Sequence, residues 1–419
     1  MPRPALLRRE VLRLAGAATV FGSQVAHAAT DVRLSTLLTL RPQSGPMRES
    51  APNITSSTLY NLESAPRWVR LIYVAVSRSY TVDGAAIAPT GAIGDGFTPV
   101  GATGQPDNAA WRRVTFNHNG DASTPAALTG APVYSLAVPS RSVPTMGFSD
   151  WLRIEPLPRS DGGAGSLVQV RTFSIWGFRN FAAIWQEVPD KQIDRSFATF
   201  GSNGDGTAAP WVFHAEPDQL SASYGLQYIA ENAGATVIGV GDSITAPPAS
   251  IPYGMRACAL ISTPQHPVSY VNDGFIGRKS AEFLASGARA IRALRPQVAL
   301  LQTYSGNDPD TVAASDQAFD GAMHLAGLCR SLQCVPIFVA SPPSVQFNPL
   351  SAGVRRSLMR TRALGLSGSM VLDLDAIWGK RDGTGAWKDG YRTDRWHPNN
   401  VASVAAAQVL VPMLRKLVV

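Results

Sequence analysis

The sequence predicts an α/β domain built on a mostly parallel five-stranded sheet, preceded by an all-β, sandwich-like domain. After residue 234, apolar runs at 236–240, 268–271, 298–302, 335–340 and 370–374 alternate with helical stretches around 280–294, 311–332, 352–364 and 401–417. Strands joined by helical crossovers pair in parallel and need cover on both faces. Before residue 230, short apolar runs at 68–76, 111–116, 133–138, 151–155 and 167–174 are separated by glycine- and proline-rich connections such as Asp161-Gly162-Gly163-Ala164-Gly165. Strand and turn signals without long helical periodicity indicate antiparallel sheets packed face to face. A chain of 419 residues also suits two cores better than one. The expected division is 31–230 and 233–419, with the boundary inside 205–232, where a helical segment is expected to brace the junction.

The first element is a leader. Arg8-Arg9-Glu10-Val11-Leu12-Arg13 precedes an apolar stretch over 14–25 that ends at Ala26-His27-Ala28. This reads as an export signal over residues 1–28, too short to span a bilayer comfortably, so no stable membrane insertion is expected. The paired arginines resemble a twin-arginine signal; an ordinary secretory signal with a basic start is the alternative. Either reading removes the segment and delivers a bacterial protein to the periplasm or the exterior.

Composition is that of a globular chain, 45% hydrophobic and 16% charged. Losing Arg3, Arg8, Arg9, Arg13 and Glu10 with residues 1–28 lowers the net charge from +7 to +4. With no Lys/Arg run interleaved with aromatics, a nucleic-acid partner is not expected. Cys258, Cys329 and Cys334 are an odd set: the last two either close a small loop or, equally, stay as buried thiols. Their C-x4-C spacing lacks the companions of a zinc site, and Asp373-Leu374-Asp375 reads as the end of a strand. No cofactor and no metal are expected. Six of the nine tryptophans, Trp68, Trp111, Trp151, Trp176, Trp185 and Trp211, fall in the first half, either stacking on sugar rings or filling a core between sheets.

The chemistry-bearing residues lie in the second half. Gly241-Asp242-Ser243-Ile244-Thr245 closes the first apolar run and puts a hydroxyl at a strand tip, where α/β folds keep their sites. Asn272-Asp273-Gly274-Phe275-Ile276-Gly277, Ser305-Gly306-Asn307-Asp308 and Asp394-Arg395-Trp396-His397 follow in order. A neutral serine needs a base within hydrogen-bond reach and a third group to hold that base. Ser243, His397 and Asp394 suit these roles, and Pro398 with Asn399 or Asn400 suits the start of the last helix. Developing negative charge on a carbonyl oxygen needs fixed donors, for which the Ser243 N–H, the Gly277 N–H and the Asn307 carboxamide are candidates. Taken singly, each block has a plainer reading as a turn or a helix cap.

In this order the four blocks resemble the SGNH (GDSL) hydrolase family, over about 236–419 only. The resemblance implies a flavodoxin-like three-layer α/β/α fold, Ser243 as nucleophile, Gly277 and Asn307 with the Ser243 N–H in an oxyanion hole, His397 as base and Asp394 as its partner. Two departures stand out: Ser305 occupies the position two before Asn307 where the family has glycine, and Gly274 competes with Gly277 as the matching glycine. Asn272-Asp273 with Gly277-Arg278 is similar to the corresponding segment of rhamnogalacturonan acetylesterases. The resemblance implies an acylated small-molecule or polysaccharide substrate and ester hydrolysis, O-acetyl groups on a glycan first among them. A short-chain esterase or lipase, an O-acyltransferase and a catalytically silent sugar-binding protein are the alternatives. No G-x-S-x-G elbow occurs, which argues against an α/β-hydrolase.

Overall fold

The structure is a computed structural model describing residues 35–418, apart from 38–39, 43–53, 63, 76–78, 93, 95–97, 118–124, 126–129, 140–144, 164, 175–181, 185–194, 200–219, 222–224, 231, 233, 248–249, 310, 341, 344–350 and 383–384. The expected leader, with Trp176, Trp185 and Trp211, lies outside the described residues.

In the first half every described strand pairing is antiparallel. One sheet joins β1 (Ser35–Leu37), β7 (Gly225–Ala230), β3 (Pro66–Ala75) and Leu152–Arg153, with Thr145–Phe148 also on β3. A second joins β6 (Arg195–Thr199), β2 (Ile54–Leu62), β5 (Ser166–Ser174), β4 (Gly84–Thr90) and Arg112–Arg113. The expected strands at 111–116, 133–138 and 151–155 shrink to Arg112–Arg113, Leu136–Val138 and Leu152–Arg153. The helical segment expected within 205–232 is not among its described residues, and 205–219 and 222–224 lie outside them; Leu220–Ser221 and β7 are strands, and β7 is held in the sheet by pairing with β3. Two of the described tryptophans lie against buried arginines, with Trp151 4.7 Å from the Arg70 guanidinium and Trp111 4.3 Å from that of Arg171.

The second half is a three-layer α/β/α arrangement. Its strands are β8 (Ala235–Gly241), β9 (Val268–Gly274), β10 (Val298–Gln302), β11 (Val335–Ala340) and β12 (Met370–Asp373). All pair in parallel in the order β9-β8-β10-β11-β12, a 2-1-3-4-5 sheet of flavodoxin type. Alternate side chains serve the two faces. Ile238, Val240, Ala299, Leu301 and Phe338 pack with α2 (Ser280–Leu294) and α3 (Val312–Ser331). Val237, Leu300, Ile337 and Val339 pack with α1 (Tyr253–Ile261), α5 (Leu374–Trp378) and α6 (Asn400–Val418). Each buried Val, Leu or Ile contributes roughly 1.5–3 kcal/mol, which is why these runs are continuously apolar. The remaining helix, α4, spans Ser351–Leu364.

Helix ends follow side-chain chemistry. The Lys279 N–H donates to the Glu282 carboxylate ahead of α2, and Thr311 and Asp373 accept N–H groups at the starts of α3 and α5. After α3, Gln333 takes a left-handed φ of 60° while the Gln333 and Cys334 N–H groups return to Arg330 and Cys329. All three cysteines are buried, and none is in a disulfide. The 19-residue helix α6 is apolar enough by composition to cross a membrane, but one of its faces, with Ala402, Ala406, Leu410 and Leu414, is buried in the fold.

Candidate active site

The nucleophile candidate sits directly beyond β8. The Asp242 carbonyl accepts the N–H groups of Thr245 and Ala246, and its Oδ1 accepts the Ile244 N–H at 2.8 Å. This tight turn leaves Ser243 8% exposed. It needs glycine on its approach: a Cβ at Gly241 would stand 2.1 Å from Thr245 Oγ1 and 2.4 Å from Gln302 Oε1. Gln302, at the end of β10, steadies the turn by accepting the Asp242 N–H and the Thr245 hydroxyl, both at 3.1 Å.

His397 arrives from the far end of the chain. The His397 Nε2–Ser243 Oγ distance is 3.0 Å and His397 Nδ1–Asp394 Oδ2 is 2.7 Å. Asp394 Oδ1 also accepts the Trp396 and His397 N–H groups at 2.6 and 2.8 Å. Burial pushes the Asp394 pKa up, but the bonds from the His397 ring and the two backbone N–H groups outweigh it and hold the carboxyl below its ordinary value. An ionised Asp394 fixes the Nδ1–H tautomer and leaves Nε2 to accept the serine proton. The loop is braced where Arg392 bridges Pro398 and where Ser250 donates to the Pro398 carbonyl at 3.0 Å. Asn399, rather than Asn400, caps α6 by accepting the Ala402 N–H, and Pro398 lies in the bridge, outside the first helical turn. Asn400 instead accepts the Ile251 N–H and an Arg256 N–H.

The other two blocks extend from β9 and β10, the neighbours of β8 on either side. Gly277 is an exposed turn residue with a φ of +75°, which only glycine adopts freely. Gly274 is buried at the end of β9, where a Cβ would stand 2.8 Å from that of Ala246, so it packs against the nucleophile loop. Asn307 is exposed, and its Nδ2 donates to the Arg278 carbonyl and to Ser305 Oγ, each at 3.1 Å. Phe275 N–H donates to the Gly241 carbonyl, tying the second block to the first. Asp308 accepts the Ser280 N–H at 2.8 Å, tying the third block to the second. Sequence reasoning missed Asp242, Ser280, Gln302 and Ser305 as the groups that bind these loops; the serine in place of the family's glycine at 305 was the available signal.

Among the described residues no group of three or more His, Cys, Asp and Glu side chains is arranged to hold a metal ion. Asp373 and Asp375 share Arg360, at 2.6 and 3.3 Å. His266 and His324 are exposed, and His118 and His214 lie outside the described residues.

No family model matches the chain, and neither does any curated protein. Solved structures do: over one region, about 44% of its length, the chain is similar to GDSL lipases, acylhydrolases and carbohydrate esterases. A GDSL-like lipase from Bacteroides thetaiotaomicron is 15% identical, with 43% of this chain and 88% of that one covered and a TM-score of 0.36. The lipase/acylhydrolase from Enterococcus faecalis is 18% identical, with 43% and 96% covered and a TM-score of 0.35. A variant of an acetyl-xylooligosaccharide esterase from Geobacillus is 15% identical, with 44% and 94% covered and a TM-score of 0.32.

Proposed function

We propose that the protein is an exported serine esterase that removes small acyl groups, acetyl above all, from a polysaccharide. The observation that carries this reading is the hydrogen-bonded series Ser243–His397–Asp394 at the carboxyl edge of a parallel sheet. In this reading His397 Nε2 takes the Ser243 proton as Oγ attacks the ester carbonyl, and Asp394 stabilises the imidazolium. The carbonyl oxygen, now negative, is met by the N–H groups of Ser243 and Gly277 and the Asn307 carboxamide. His397 returns the proton to the departing alcohol, leaving an acyl-Ser243 that water, activated by the same imidazole, hydrolyses.

Residues 1–28 supply the export signal in this account. The antiparallel sheets of 31–230 form an accessory domain beside the catalytic 233–419, and the glycan preference rests on the Asn272-Asp273 and Gly277-Arg278 similarity. The test is turnover of acetylated glycan and of nitrophenyl esters of increasing chain length by the mature protein and by Ser243→Ala. The expected result is preference for the acetyl esters and loss of at least a thousandfold in kcat for the variant, with folding and glycan binding retained. Glycan binding without turnover by the wild type would establish a binding protein instead, and faster transfer to an added alcohol than to water would establish an acyltransferase.

A further inference from the structure

One buried hydroxyl lies beneath the three loops, and the groups around it determine where its proton goes. Ser305 is wholly buried. Its Oγ lies 2.5 Å from Asp242 Oδ2, 2.8 Å from the Arg278 carbonyl, and 3.1 Å from both the backbone N and the Nδ2 of Asn307. A serine hydroxyl has one proton and two lone pairs. Nitrogens of this kind only donate, so the two from Asn307 occupy both lone pairs. The Arg278 carbonyl already accepts the other Nδ2 proton of Asn307. The arrangement that leaves no group short sends the Ser305 proton to Asp242. The other oxygen of Asp242 receives the Ile244 N–H, so a single buried carboxylate joins the nucleophile turn to Asn307 through Ser305.

We infer that Asp242 and Ser305 are positioning residues that hold the Asn307 carboxamide for oxyanion binding; this rests on the esterase reading above. An exposed asparagine side chain otherwise samples several rotamers. Ser305 fixes one of its N–H groups, which leaves the second aimed at the carbonyl of Arg278, the residue after Gly277. An ester oxygen gaining negative charge is a stronger acceptor than that carbonyl and displaces it. The family pattern has glycine at 305 and so lacks this hydroxyl. The device belongs to the residues of this chain.

A merely structural role would make Ser305 tie the loops together whatever stands at 307. A double-mutant cycle separates the two: kcat, KM and Tm for Ser305→Ala, Asn307→Ala and the pair in the full chain, with nitrophenyl acetate as substrate. Ser305→Gly, the residue of the family pattern, repeats the cycle in case the alanine variant folds poorly. Ser305→Ala is expected to lower kcat about tenfold with KM within about twofold, and Asn307→Ala to lower it by on the order of a hundredfold. The pair is expected to match Asn307→Ala alone to within about twofold. Losses that multiply, or a change in Tm without one in kcat, would overturn the inference. Ser243→Ala, assayed alongside, separates the two levels: if it is inactive while the losses multiply, only the positioning role falls. If it keeps wild-type turnover, or the wild type has none, the esterase reading falls with it.

Discussion

At the residue scale, the carboxylates of this site differ because their surroundings differ. Asp394 is half exposed, receives two backbone N–H groups and faces an imidazole, and it stays ionised below the ordinary range. Asp273, one strand away, is fully buried; desolvation raises its pKa to about 7 against the opposing pull of the Ser286 hydroxyl and the Arg278 charge. Between its ordinary value of 3.8 and about 7, the folded chain holds a proton that the unfolded chain has released. Stability contributed by this group therefore falls as pH rises through that window and levels off above it. The cost at the upper end is at most about 4 kcal/mol. Asp273→Asn removes the ionisation while keeping an acceptor for Ser286. Denaturant melts from pH 4.5 to 8 are expected to show the variant gaining on the wild type as pH rises. An unchanging difference would contradict the burial argument. Asp242, also raised by burial, leaves a residual slope of the same sign in both proteins.

At the element scale, the turn after β8 depends on what its glycines omit. Gly239 lies where a Cβ would come within 2.0 Å of the Tyr270 hydroxyl, and Gly241 is equally confined by Thr245 and Gln302. Gly241→Ala is expected to cost about 1–3 kcal/mol, read as a lower Tm, and to reduce kcat because the Ser243 turn must shift; wild-type values for both would refute this packing account. The same local physics explains what was legible in the sequence. The strands β8, β10 and β11 are largely apolar on both faces, and α2 and α3 are long, so their positions could be read closely. Other elements owe their state to neighbours. Ile54–Leu62 is rich in Ser and Thr, and Gly84–Thr90 is mostly Gly, Ala and Pro, yet both flank β5 along its length and become strands through that pairing. Tyr253–Ile261 follows a proline without a side-chain cap, and Leu374–Trp378 spans only five residues, too few to show a helical period.

At the scale of the whole molecule, the meeting of Ser243, His397 and Asp394 could be anticipated from the residue types that the sequence blocks display. The mutual support of those blocks was not legible there, because Asp242, Gln302 and Ser305 act through contacts between loops far apart in the chain. One apolar cluster runs without a break from Val69, Leu71 and Tyr228 in the first half to Ile238, Phe283 and Leu301 in the second. Such continuity was invisible in a sequence whose two halves differ in pattern. Topology makes the site: β8 lies between β9 and β10, so three loops share one edge, and the loop just ahead of α6, braced by Ser250, brings residue 397 to residue 243. The most direct test of that meeting is covalent. A nitrophenyl phosphonate ester labels a serine only where a base has activated it. The full-length protein and its His397→Ala variant would be treated with the reagent and mapped by peptide mass spectrometry. The account predicts one adduct, on Ser243, in the wild type and almost none in the variant; labelling of another residue, or equal labelling without His397, would contradict it.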